Sequence, residues 1–160
     1  MGKDGLHPKV ARALEVSGKA YQIHRHQQFD TPIRGPGDFA AALGYSLDRI
    51  VKAVFLRDHG ATRFAMGVCA TNRKLHLDKI AAELGIGRLE VASRKELEEK
   101  TGYPVFGVSP LGVEPIPVFM DEHLLGLASV LIGAGQAGVE IESSPSDLRD
   151  AARAICLPLT

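Results

Sequence analysis

Two hydrophobic rhythms run along the chain, one of about 3.6 residues and one of two, and together they sketch its elements. His7, Val10, Leu14 and Ser17 follow helical spacing, with Pro8 suited to the first turn and Gly18 to the end. Tyr21 to His26 (YQIHRH) alternates apolar and polar residues, which predicts a half-exposed strand. The proline- and glycine-rich FDTPIRGPGDF then reads as a loop opening into a second helix. Gly44 closes that helix, and Ser46 suits the cap of a short helix over LDRIV. KAVFLR and TRFAMGVCA predict a hairpin around Asp58-His59-Gly60, and HLDKIAAELG an amphipathic helix closed by Gly85. Ser93 with Glu96 has the spacing of a capping box before KELEEK. Ser144 with Asp147 repeats it around Pro145, before a last helix DLRDAARAI. Between those two helices lie the loop TGYPVFGVSPLG, the strand PVFMD and the strand pair SVLIGAGQAGVEIES. No internal repeat or low-complexity tract interrupts the pattern, and the strict βαβ rhythm of a doubly wound sheet is missing. The expected class is α+β (mixed α/β): a mixed, largely antiparallel sheet or partial barrel flanked by helices, in a single domain over residues 1–160.

Composition narrows the functional classes. Hydrophobic residues make up 45% and charged residues 24%, as in an ordinary globular protein. No apolar run approaches the roughly 18 residues that span a bilayer, and MGKDGLHPKVARALE lacks the apolar centre of a secretory signal. A cytoplasmic location with no membrane partner is expected. Nineteen basic residues balance nineteen acidic ones, so no general attraction for nucleic acid is predicted and DNA is not expected as a partner. Any RNA contact would be small and local. Cys69 and Cys156 stand far apart and read as ordinary reduced thiols rather than a disulfide framework or metal ligands.

Lys52 stands out within IVKAVFL, an apolar stretch with the look of a buried strand. Burying its charge unpaired is costly, so it either emerges at the strand end or is kept for a purpose. Gly102-Tyr103-Pro104-Val105-Phe106-Gly107-Val108-Ser109-Pro110-Leu111-Gly112 is a preset loop of close approach. Such a loop either makes a structural turn or aims N–H groups at a carbonyl oxygen or phosphate. Gly133-Ala134-Gly135-Gln136-Ala137-Gly138 has dinucleotide-fingerprint spacing, but strand-like VEIES follows it, so a tight hairpin with close backbone approach is the better reading. Asp121 and His123 suit an acid/base pair or an exposed turn. His24 and His26 share one strand face, but no third ligand lies nearby and no metal site is expected. Ser109 has no nucleophile elbow around it.

Taken in order, AALGYSLDRIVKAVFL, TGYPVFGVSPLG, VFMDEHLL and VLIGAGQAGVEIESSPSDL resemble the YbaK/EbsC family, which is related to the editing domain inserted in bacterial prolyl-tRNA synthetases. The resemblance covers nearly the whole chain. It implies a mixed sheet with helices around a crevice, and a trans-editing deacylase of mischarged tRNA(Pro) carrying cysteine or alanine. It places Lys52 in the pocket and Gly102, Gly107, Ser109 and Pro110 in the loop lining it, with Gly112 closing the loop and Asp121 and Gly135 as further substrate contacts. Lys52, Gly107 and Ser109 are the catalytic candidates. No cofactor or metal is implied, and SPLG leans toward Cys-tRNA(Pro). An aminoacyl ester is already labile, so positioning and oxyanion stabilisation suffice, with the substrate's own groups or water as nucleophile. Prolyl-tRNA synthetase is the partner such a protein would borrow. A non-catalytic nucleic-acid-binding or regulatory module is the alternative, and it requires a basic stripe; Arg73, Lys74, His76 and Lys79 are few for one. A second alternative is a relative that binds an aminoacyl-adenosine-like ligand without turning it over.

Overall fold

A computed structural model describes residues 5–160. Helix α1 (Pro8–Ser17) starts where the sequence predicts: the His7 ring accepts a hydrogen bond from the Lys9 N–H at 3.1 Å, and Gly18 ends it in the left-handed conformation. Strand β1 (Gln22–Arg25) leads through a 3-10 turn to α2 (Pro36–Leu43), and Ser46 caps a 3-10 turn over Leu47–Arg49. The hairpin is β2 (Val51–Asp58) and β3 (Phe64–Ala70), its turn held by the Asp58 carboxylate accepting from Thr62 and Arg63 N–H groups. Then come α3 (Leu77–Leu84), β4 (Leu89–Val91) and α4 (Arg94–Thr101), whose capping box forms in both directions between Ser93 and Glu96. Strands β5 (Val118–Asp121), β6 (Val130–Gly133) and β7 (Val139–Ser143) precede α5 (Pro145–Ala152) and β8 (Ile155–Leu157).

The strands form two sheets and do not close into a barrel. One is antiparallel, in the order β1-β7-β6. The other, β4-β2-β3-β5-β8, is antiparallel as far as β3, while β3-β5 and β5-β8 are parallel. A bridge between Ile50 and Leu131 joins the two. The last helix is shorter than expected. Arg153 turns into the left-handed region at φ 52° and breaks it, freeing Ile155–Leu157 to pair with β5.

Alternation along β2 and β3 sorts the core into layers. Val51, Phe55, Met66 and Val68 pack with α1, α5 and the inner face of the three-stranded sheet. Leu56, Ala65 and Cys69 lie on the opposite face under Ile80 and Ala81 of α3. Phe39 and Ala40 of α2 cover Ile50 and Leu131. Fully burying a side chain such as Phe39 contributes about 1.5–3 kcal/mol. That third layer fixes α2 beside the junction of the sheets, where the site lies. Among the described residues no helix is long and apolar enough to cross a membrane.

Candidate active site

A cavity of about 490 Å³ opens at this junction. Ile50, Val51, Lys52 and Ala53 line it from the start of β2. Ile33, Arg34, Pro36 and Phe39 line it from α2 and the loop before it. Val105, Phe106 and Val108 come from the glycine-rich loop, and Gly133, Gly138, Val139 and Glu140 from the β6–β7 hairpin. Its size is that of a small-molecule site with mostly apolar walls and a few polar groups.

Lys52 is half-buried, sits directly across from Cys69 on β3, and has no ion-pair partner among the described residues. Burial pushes the Cys69 thiol up, with Lys52 pulling the other way, so Cys69 stays protonated and is not a nucleophile. Burial raises the Cys156 thiol as well.

The two glycine-rich segments, read separately in the sequence, pack on each other. A Cβ on Gly107 would lie 2.6 Å from the Gln136 nitrogen, and one on Gly133 would lie 2.3 Å from the Val108 oxygen. Only glycine permits that approach, and it sets the loop at the cavity mouth. The Gly107 N–H closes a turn onto the Pro104 carbonyl at 3.0 Å, and the buried Tyr103 hydroxyl donates to the Leu111 carbonyl. Val108 lines the cavity, and its N–H has no acceptor among the described residues.

Of the site residues the resemblance assigns, Lys52 lies in the cavity wall, while Gly102, Gly107, Ser109, Pro110, Gly112, Asp121 and Gly135 are not among the lining residues. Ser109 is fully buried, its Oγ accepting from the Leu111 N–H at 3.2 Å, and Pro110 is buried beside it. Gly102 is the left-handed cap of α4. Gly112 backs onto Lys9 and lines a different cavity of about 500 Å³ beside α1 and α5. Gly135, at φ 81°, lies against His7 and Tyr103. Asp121 is buried and pins the end of the chain, accepting from the Leu159 N–H at 3.0 Å and the Thr160 hydroxyl at 2.6 Å. It makes no pair with His123, whose Nε2 lies 3.9 Å from Asp48.

The structure gives the two strand histidines, His24 and His26, glutamate partners that the sequence did not show. His26 Nε2 lies 2.8 Å from a Glu140 oxygen, and both residues line the cavity. Burial raises the Glu140 carboxyl, and the bond from His26 pulls against it without cancelling it. The neighbouring His24 bonds Glu142 at 2.8 Å. Glu142 also accepts from the Tyr45 hydroxyl, Ser129 and Arg49, and Arg49 stacks on the Tyr45 ring at 3.5 Å. Burial works to raise the Glu142 carboxyl, but these hydrogen bonds outweigh it and hold it below its ordinary value. The signal in the sequence was H-x-H on one strand matched by E-x-E on another. Thr71 also lines the cavity, and its buried hydroxyl finds no partner among the described residues.

Comparison with known proteins agrees with this geometry. Residues 30–151 match the model of the aminoacyl-tRNA editing domain. Over 107 residues the chain is 31% identical to EbsC of Enterococcus faecalis, provisionally named a Cys-tRNA(Pro)/Cys-tRNA(Cys) deacylase. The match covers 66% of this chain and 65% of EbsC. Over 116 residues it is 33% identical to a proline–tRNA ligase of Nitratidesulfovibrio vulgaris, covering 72% of this chain but 20% of the ligase. The chain thus spans about two thirds of one curated relative and a fifth of the other. A solved structure described as a provisional trans-editing enzyme for prolyl-tRNA synthetase superposes with a TM-score of 0.81 at 26% identity, covering 98% of this chain and 99% of that one. With most of its length inside the family model and the solved fold matched end to end, this chain belongs to the aminoacyl-tRNA editing domain family.

Proposed function

We propose that the protein is a trans-editing deacylase that hydrolyses the ester of tRNA(Pro) wrongly charged with cysteine or alanine. One observation carries the reading: in a member of this family, unpaired Lys52 lines the same small cavity as the glycine-rich loop and a lone carboxylate. The titratable residues lining that cavity are Lys52, Arg34, His26 and Glu140. An aminoacyl-tRNA brings complementary charges, an α-ammonium on the amino acid and phosphates on the nucleotide. Glu140, held by His26, takes the ammonium and Arg34 the phosphate, which leaves Lys52 for the ester.

Hydrolysis then needs little further chemistry. Water, or the thiol of a cysteinyl group, adds to the ester carbonyl, and negative charge develops on its oxygen. Lys52 and the Val108 N–H stabilise that charge; preset donors do this without reorganising during the reaction. The carbon–oxygen bond to the ribose breaks, and the ribose oxygen takes up the proton released by the attacking group; water attack leaves the free amino acid, whereas thiol attack leaves a cyclic thiolactone that water then opens. Gly107 and Ser109 act as positioning residues, the first by its contact with Gln136 and the second by tying the loop to itself. Ile33, Pro36, Phe39 and Ile50 set the width of the amino-acid subsite. Steric conflict with these walls rejects proline, because a loose apolar pocket would discriminate by only about 1–3 kcal/mol. Zero net charge offers little general attraction for tRNA, which favours delivery by prolyl-tRNA synthetase in the cytoplasm.

The charge arrangement has a pH signature. A protonated Glu140 no longer attracts the ammonium, so KM for Cys-tRNA(Pro) should rise as pH falls. Because burial raises the Glu140 carboxyl, that rise should begin above the ordinary glutamate value of about 4.3. Glu140→Gln should raise KM roughly tenfold at neutral pH, the scale of a hydrogen bond to a charged group, and abolish the acidic limb. An unchanged KM and an unchanged limb in the variant would remove Glu140 from substrate binding.

A further inference from the structure

We infer that Phe106 is the platform on which the 3′-terminal adenine of the tRNA stacks; this rests on the editing reading above. Phe106 lines the cavity yet is 82% exposed, the most exposed large hydrophobic residue among the described residues. Beside it Val105 is 38% exposed. Two backbone contacts hold the loop in this position. Its turn is closed by the Gly107 N–H on Pro104, and Gly107 is seated against the Gln136 backbone. Pro104 fixes its own φ. A rigid turn therefore holds an aromatic face in water at the mouth of the site.

The substrate dictates what such a face meets. With the aminoacyl ester inside the cavity, the nucleoside that carries it must lie at the mouth, and every tRNA ends in adenosine. The balanced charge of the chain leaves few cations to grip the nucleotide; Arg34 and Lys52 are the ones lining this cavity. Stacking on an exposed aromatic supplies affinity without charge, and it suits a purine better than a pyrimidine because the overlapping area is larger. Phe106 is thus a positioning residue: it holds the nucleoside so that the ester reaches Lys52.

Two measurements test this. In steady-state deacylation of Cys-tRNA(Pro), Phe106→Ala should raise KM by about 5–150-fold, the span of one lost base–aromatic stack. The turnover number should change little, and Phe106→Trp should restore KM. In the second, the fluorescence of Phe106→Trp is titrated with adenosine 5′-monophosphate, with ribose 5-phosphate as the control lacking a base. Saturable quenching by the nucleotide alone supports the platform. An unchanged KM in Phe106→Ala, or emission that responds equally to both compounds or to neither, overturns it. A wild type that hydrolyses no aminoacyl ester would instead defeat the editing reading, and the titration would still decide what Phe106 binds.

Discussion

Glu142→Ala should cost the fold about 3–5 kcal/mol, the range for removing one partner of a buried charge cluster. For a domain of this size that lowers Tm by roughly 6–20 °C. The loss is large because one carboxylate serves four side chains: His24 of β1, Tyr45 after α2, Arg49 before β2 and Ser129 before β6. Removing it leaves the Tyr45 hydroxyl without its acceptor and the Arg49 guanidinium with only the Ser129 carbonyl and hydroxyl and no counter-charge. The cluster also joins the segment leading to Lys52 to the sheet carrying Glu140, so the two sides of the cavity should loosen together. Glu142→Gln keeps the shape and loses the charge, and should fall between. Its pH dependence follows from the lowered carboxyl. The stabilising contribution is fully present above the unfolded value of about 4.3 and is lost as pH falls through the lower folded value. Thermal melts of the wild type and Glu142→Gln should therefore differ at pH 7 and converge only as pH falls through the lowered folded value of the carboxyl. Parallel melts across that range would count against the cluster.

How much of this was legible in the sequence depended on how local each signal was. The caps at Ser93 with Glu96 and at Ser144 with Asp147 are readable because their residues lie within four positions, whereas His7, expected on the helical face, caps α1 instead. Lys52 was visible as a charge out of place in an apolar strand. Strands β4 and β8 were not, since three residues carry too little alternation and their pairing with β2 and β5 decides their state. The His26–Glu140 pair joins residues 114 positions apart. Its two halves were in view, but the strand register that unites them was not. The glycine segments were each read as sites of close approach. That they approach one another is a fact of topology: Gly107 packs on the Gln136 backbone and Gly133 on the Val108 carbonyl. For Asp121 the sequence leaves an acid/base pair and an exposed turn open, and the fold shows a buried carboxylate that fastens the C-terminal segment.

Lys52→Ala is expected to lower kcat/KM for Cys-tRNA(Pro) by about 10²–10³-fold, the usual cost of removing one oxyanion stabiliser. Stability should hardly change, because Lys52 has no ion pair to lose and is half-buried at its strand position. That contrast separates the two variants. Glu142→Ala should weaken the fold and carry activity down with it, whereas Lys52→Ala should leave an intact protein that no longer works. A Lys52→Ala protein with wild-type kcat/KM would exclude Lys52 from the reaction, and a strongly lowered Tm would make it structural. Lys52→Arg keeps the charge but presents a wider, planar group, so it should recover part of the rate at most.

Removal of a small wrong amino acid from tRNA(Pro) is tested by the time course of deacylation of tRNA(Pro) charged separately with cysteine, alanine and proline, with purified wild-type protein and again with prolyl-tRNA synthetase added. Cysteine or alanine should be lost rapidly while the prolyl ester survives at the rate of the protein-free control. Survival of all three esters at that rate, with and without the synthetase, would contradict it.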